Sequence, residues 1–87
     1  MKATRPDYPN IAPALVLPFE RPYFEGKRRM AALVFARRGG IVLFAIERTR
    51  EFGVGYLDAG GVVLQPDHFP TLDSAARVFL SAEPCNA

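Results

Sequence analysis

The chain has 87 residues, 49% of them hydrophobic, and a formal charge of +2 from eleven basic and nine acidic side chains. That length supports one small domain, the apolar content excludes a disordered chain, and so slight a positive excess names no partner class by itself. No apolar run approaches the roughly 20 residues that a membrane-crossing helix needs.

Cys85 is the single cysteine, so no internal disulfide can form, and a reducing, cytoplasmic setting is the expectation. The first residues, Met1-Lys-Ala-Thr-Arg-Pro, lack the apolar stretch of a secretory signal. The basic set is lopsided, with nine arginines and two lysines. Arginine suits bidentate contact with carboxylates and phosphates, and it is enriched at interfaces.

Residues 1–26 stand apart in composition. Pro6, Pro9, Pro13, Pro18 and Pro22 recur too closely for a long helix or a central strand. The segment also carries Tyr8, Ile11, Leu15, Val16, Leu17, Phe19, Tyr23 and Phe24, which a solvated tail would lack. It reads as an extended arm packed on a body formed by residues 27–87, with a short edge strand at Ala14–Leu17.

The clearest local signal is a hairpin. Met30–Arg38 and Ile41–Arg48 are β-favouring apolar runs joined by Gly39-Gly40. A two-residue turn sets Arg38 opposite Ile41. Regular alternation from there puts Leu33, Phe35, Phe44 and Ile46 on one bulky face. Ala32, Val34, Ala36, Leu43 and Ala45 fall on a smoother one. Both faces are apolar, so both need cover. The helix is expected over the bulky face, and the arm, a second copy of the chain or another protein over the smooth one.

Gly53–Asp58 reads as a third strand, Asp58-Ala-Gly-Gly61 as a turn, and Val62–Gln65 as a fourth strand. Gly53 and Gly55 fall on one face of the third strand, a pattern that marks a bulge or close contact with another segment. Pro66–Pro70 reads as a loop. Thr71 is the expected N-cap of a final helix with Asp73 in its first turn. Leu72, Ala75, Ala76, Phe79 and Ala82 line its apolar face, Asp73 and Arg77 pair across a turn, and Pro84 ends it. The fold expected is therefore α+β: a small antiparallel β-meander of about four strands, one C-terminal α-helix packed on one face, and a Pro-rich N-terminal arm.

Chemistry-bearing residues are sparse. His68, the only histidine, adjoins Asp67, and such a pair can orient an imidazole for proton transfer; a loop histidine beside a buried Phe69 is the plainer reading. Ser74 and Ser81 have no base and orienting group in sequence. One histidine and one cysteine do not make a zinc site, and Asp58, Asp67 and Asp73 are too dispersed for calcium. The expectation is no catalytic set, no metal and no cofactor.

The one constellation with binding potential is basic. Lys27, Arg28 and Arg29 precede the first hairpin strand and Arg48 and Arg50 follow the second, so antiparallel pairing gathers them at one end. Tyr23 and Phe52 are the candidate aromatic anchors beside them. Glu25, Glu47 and Glu51 are interleaved and dilute the positive potential.

These residues point to a non-catalytic protein that occupies a surface on a protein partner, as an inhibitor or adaptor, with a homodimer through the smooth hairpin face as a further expectation. Phage-encoded blockers of host defence such as anti-CRISPR proteins share this profile of small size without catalytic residues. Nucleic-acid binding through the same arginines is the alternative.

Overall fold

A computed structural model describes residues 11–82. Tyr8, Pro6 and Pro9 of the expected arm, and Pro84 and Cys85, lie outside the described residues. After a 3-10 turn at Ala12–Ala14 come five strands and a helix: β1 (Leu15–Glu25), β2 (Arg28–Arg38), β3 (Ile41–Ile46), β4 (Glu51–Leu57), β5 (Val63–Phe69) and α1 (Leu72–Ser81). The meander with one C-terminal helix is as expected. It has one strand more, because the Pro-rich segment supplies β1 where a short edge strand was expected.

The strands close into a barrel in chain order. Four antiparallel steps reverse the chain four times, so β1 and β5 run the same way, and they meet as a parallel pair at Tyr23 and Val63. Closure changes what each hairpin face touches. Tyr23, Ala32, Val34, Val42, Phe44, Ile46 and Val63 form a buried cluster inside the barrel. Ala36, Ile41, Leu43 and Val54 form a second cluster with Ala75, Ala76 and Phe79 of α1.

This partition corrects the two faces derived from regular alternation. Arg38 does face Ile41, Arg37 faces Val42 and Ala36 faces Leu43, but the next pair is Val34 with Phe44. Phe35 is the extra residue of a β-bulge. Because side chains alternate with period two, one inserted residue moves everything beyond it to the opposite face. Ala32 and Val34 thus join Phe44 and Ile46 inside, while Ala36 and Leu43 go under the helix. Ala32, Val34, Ala36 and Leu43 are all fully buried, so of the expected smooth face only the half-buried Ala45 remains open to a second copy of the chain.

The two glycines of β4 make the interior possible. A Cβ at Gly53 would sit 2.3 Å from Phe44 Cζ, and one at Gly55 would sit 2.8 Å from the Leu64 carbonyl oxygen. Phe44 therefore lies directly over the Gly53 backbone, the close contact that the glycine spacing predicts. Any side chain at position 53 would expel the ring.

β5 extends past the expected end of the fourth strand. Leu64 pairs with Tyr56 and Asp67 with Val54, which leaves one extra residue in β5. Gln65 takes φ 52° there. The left-handed residue and Pro66 are absorbed by the bulge, where a missing N–H costs no ladder hydrogen bond. Pairing then resumes through His68 and Phe69, so the stretch from Pro66 to Phe69 is strand rather than loop.

Thr71 caps α1 by accepting from the Ser74 N–H at 3.2 Å, and Arg77 Nε donates to Asp73 Oδ2 at 3.1 Å. The C-terminal end is held from a distance in sequence. The Arg38 guanidinium donates to the Phe79 carbonyl at 3.2 Å, to Leu80 at 3.1 Å and to Ala82 at 2.8 Å and 3.2 Å. Carbonyls in the last helical turn have no partner within the helix and carry the negative end of its dipole. The hairpin turn thereby pins α1 to the barrel through one arginine.

Candidate functional site

Two polar features emerge at the same end of the barrel. The first is centred on His68. Its partner across the ladder is Gly53, whose other partner is Phe44, so the imidazole shares the inward face with that ring. Nε2 lies 3.9 Å from Glu25 Oε2 and Nδ1 lies 3.9 Å from Glu51 Oε1, and the side chain is 28% exposed. Tyr23 meets the imidazole edge-on, with ring centroids 5.7 Å apart. Thr49 donates to Glu51 Oε1 at 3.2 Å.

Asp67 pairs with Val54 and so points to the opposite side of β5 from His68. The residues that flank the imidazole are Glu25 and Glu51, one on β1 and one on β4. Sequence proximity suggested Asp67, whereas strand alternation excludes an adjacent residue from the same face. The two carboxylates sit against opposite ring nitrogens, which makes the trio a bridge and denies it a common chelation point. Among the described residues no group of histidine, cysteine and carboxylate side chains is placed to hold a metal ion.

Tyr23 lies beneath this bridge. It has no exposed surface, and its hydroxyl has no hydrogen-bond partner among the described residues. Burial, and then the nearby charges of Glu25 and Glu51, push its phenol above the usual tyrosine range. Tyr23 is thus a core residue of the barrel and not a surface anchor.

The second feature is the basic group. Lys27, Arg28 and Arg29 lie at the β1–β2 turn and the start of β2, and Arg48 and Arg50 lie in the β3–β4 connection, all five exposed. Arg29 and Arg48 line one cleft of about 350 Å3 with Glu20, Ala31, Leu33 and Ala45. A smaller hollow of about 210 Å3 continues it toward Arg21 and Pro22. Leu33 pairs with Glu20 on one side and Ala45 on the other, so the groove runs over the outer face of β1, β2 and β3. α1 packs instead against β3, β4 and β5 and leaves this face open.

Among the described residues, Lys27, Arg28, Arg29, Arg48 and Arg50 make no ion pair with a carboxylate. Two of the three glutamates expected to dilute them, Glu25 and Glu51, are turned to His68; Glu47 remains beside Arg48 in the groove. Phe52 is half-buried against the helix-side cluster and meets Phe35 edge-on at 6.3 Å. Of the two expected aromatic anchors, Tyr23 is removed from the surface by burial, whereas Phe52 is half-buried on the outer face opposite Ala45. The apolar elements beside the arginines are Ala31, Leu33 and Ala45, the outward residues once the Phe35 bulge is counted, together with Phe24, which pairs with Arg29 and is 49% exposed.

Comparison with protein families, characterised proteins and solved structures finds no match to this chain. Among the described residues, no helix is long and apolar enough to cross a membrane.

Proposed function

We propose that the protein is non-catalytic and acts by binding an acidic surface of a protein partner, as a cytoplasmic inhibitor or adaptor. The observation that supports this most is the groove in which Arg29 and Arg48 stand over small apolar side chains with no internal carboxylate paired to them. Exposed guanidinium groups next to a shallow apolar surface resemble the centre of a protein interface, where arginine contacts commonly contribute most of the affinity. Ala31 and Ala45 let a partner approach the sheet closely. A second reading, nucleic-acid binding, draws on the same charges; Tyr23 is buried and cannot stack on a base, which leaves Phe24 beside Arg29 as the exposed ring for that role.

The test compares wild type with R29E/R48E in the native host, by crosslinking and quantitative mass spectrometry. A partner whose crosslinks map to Lys27 and the groove, and whose recovery falls at least tenfold in the variant, is the expected outcome. A partner recovered equally with both proteins overturns the reading. Fluorescence polarisation with 30-mer DNA and RNA separates the alternative: binding that weakens about 10³-fold between 50 and 200 mM salt would replace a protein partner with a nucleic acid.

A further inference from the structure

The groove has a direction as well as a charge. At one end stand Arg29 and Arg48; at the other, Glu20 lies opposite Leu33 on the neighbouring strand, while the Arg21 guanidinium beyond it donates to the Glu20 carbonyl and lies over the Phe19 ring. Between the two ends lies Ala31, and Leu33 and Ala45 floor the Glu20 end. Arg29 and Leu33 are four residues apart on β2, which spans about 13 Å of strand. Glu47 lies beside Arg48, and the two arginines keep that end net positive. The positive and negative ends are therefore separated along a strand by a whole number of same-face steps.

Building on the binding role just described, we propose that this groove holds an extended peptide segment laid along β2. The segment carries an acidic side chain, a small apolar side chain and a basic side chain at positions i, i+2 and i+4, or in the reverse order. In an extended chain these three positions point to one side. The carboxylate then meets Arg29 and Arg48, the apolar side chain rests on Ala31, and the stem of the basic side chain crosses Leu33 and Ala45 as its cation meets Glu20. The match in spacing follows from the period of strands on both sides of the contact. A helical segment rises about 1.5 Å per residue and covers the same distance only with charges about eight or nine residues apart, so the spacing of the selected charges distinguishes the two modes.

Selection of a displayed random 12-residue peptide library on the whole protein tests this. Sequences with opposite charges four residues apart around a small apolar residue should be enriched. Their affinity should fall at least tenfold on R29E/R48E, and also on Ala31→Gln, which fills the floor without altering charge. Thermal melts establish that both variants fold. Binders without the charge pair, binders that tolerate both variants, or no enrichment at all would each remove the extended-segment mode. A crosslinked partner that docks on the groove through a folded acidic surface would do the same while leaving the binding role in place. Loss of both groove crosslinks and peptide binding would remove the two together.

Discussion

The outer surface of this barrel has two halves built from similar material and used differently. Over β3, β4 and β5, Leu43, Val54 and Ile41 are sealed by α1, and the interface is finished by Phe79, Ala75 and Ala76. Over β1, β2 and the end of β3, Ala31, Leu33 and Ala45 are left facing a charged groove, and Leu15, Val16, Leu17 and Phe24 stand exposed nearby. The difference lies in side-chain size and in what the chain supplies next. The covered half presents branched residues that a short helix can interlock with. The open half presents alanines with arginines at the margin, which solvate easily yet permit close approach. Stability belongs to the first half, and the second is the one we propose for recognition.

The comparison breaks most visibly at Phe79. Its side chain is fully buried between α1 and the barrel, and removing such a ring leaves a cavity that costs about 3–5 kcal/mol. Phe79→Ala should lower the urea midpoint accordingly and, in a domain this small, leave α1 undocked in hydrogen exchange. Arg38 comes next. Arg38→Ala strips the charged donors from the carbonyls of Phe79, Leu80 and Ala82 and should cost about 1.5–3 kcal/mol. Arg38→Lys keeps the charge at the helix end but loses the fork, and should recover only part of that loss.

Arg38 also shows where sequence reasoning runs out. The Gly39-Gly40 turn, the Thr71 cap and the Asp73–Arg77 pair are local, each set by residues within a few positions, and all were legible. That Arg38 would cap a helix more than forty residues away depends on the helix crossing the turn end of the hairpin, which no local pattern encodes. The bulge at Phe35 is a similar case. Its neighbours are all good strand formers, so nothing announces the extra residue, and the faces of Ala32, Val34 and Ala36 were misassigned as a result. The barrel closure was hidden for the same reason, since it depends on a single β1–β5 pair between Tyr23 and Val63. The basic group was legible because it needed only antiparallel pairing; the burial of Tyr23 was not, because sequence adjacency says nothing about which way a ring points.

Tyr23 sharpens the contrast from inside. Its buried hydroxyl has no partner, and an unsatisfied buried polar group costs about 1–3 kcal/mol. Tyr23→Phe should therefore stabilise the fold by about 1 kcal/mol at neutral pH. The pH dependence has a definite sign. The folded state holds the phenol above its unfolded value of 10.0, so both states are protonated below that value and stability is intact there. As the pH climbs past it, the unfolded chain ionises first and stability drains away until the folded phenol ionises too. Urea titrations between pH 8 and 11 should show an alkaline loss in the wild type that is smaller in Tyr23→Phe.

The smallest effect belongs to the open half. Leu17 is as apolar as the residues of the helix interface, yet it is 88% exposed. It sits where two extra residues in β1, between the pairs Leu15–Ala36 and Phe19–Val34, bow the strand away from β2. A side chain already in water has little transfer energy left to lose, and surface changes of this kind stay within about 0.5 kcal/mol. Leu17→Ser should leave the urea midpoint almost unmoved, in contrast to Phe79→Ala at a comparable loss of apolar volume. A cost above about 1 kcal/mol would mean that something covers Leu17 in solution. The division into a half that stabilises and a half proposed for recognition would then have to be redrawn around that contact.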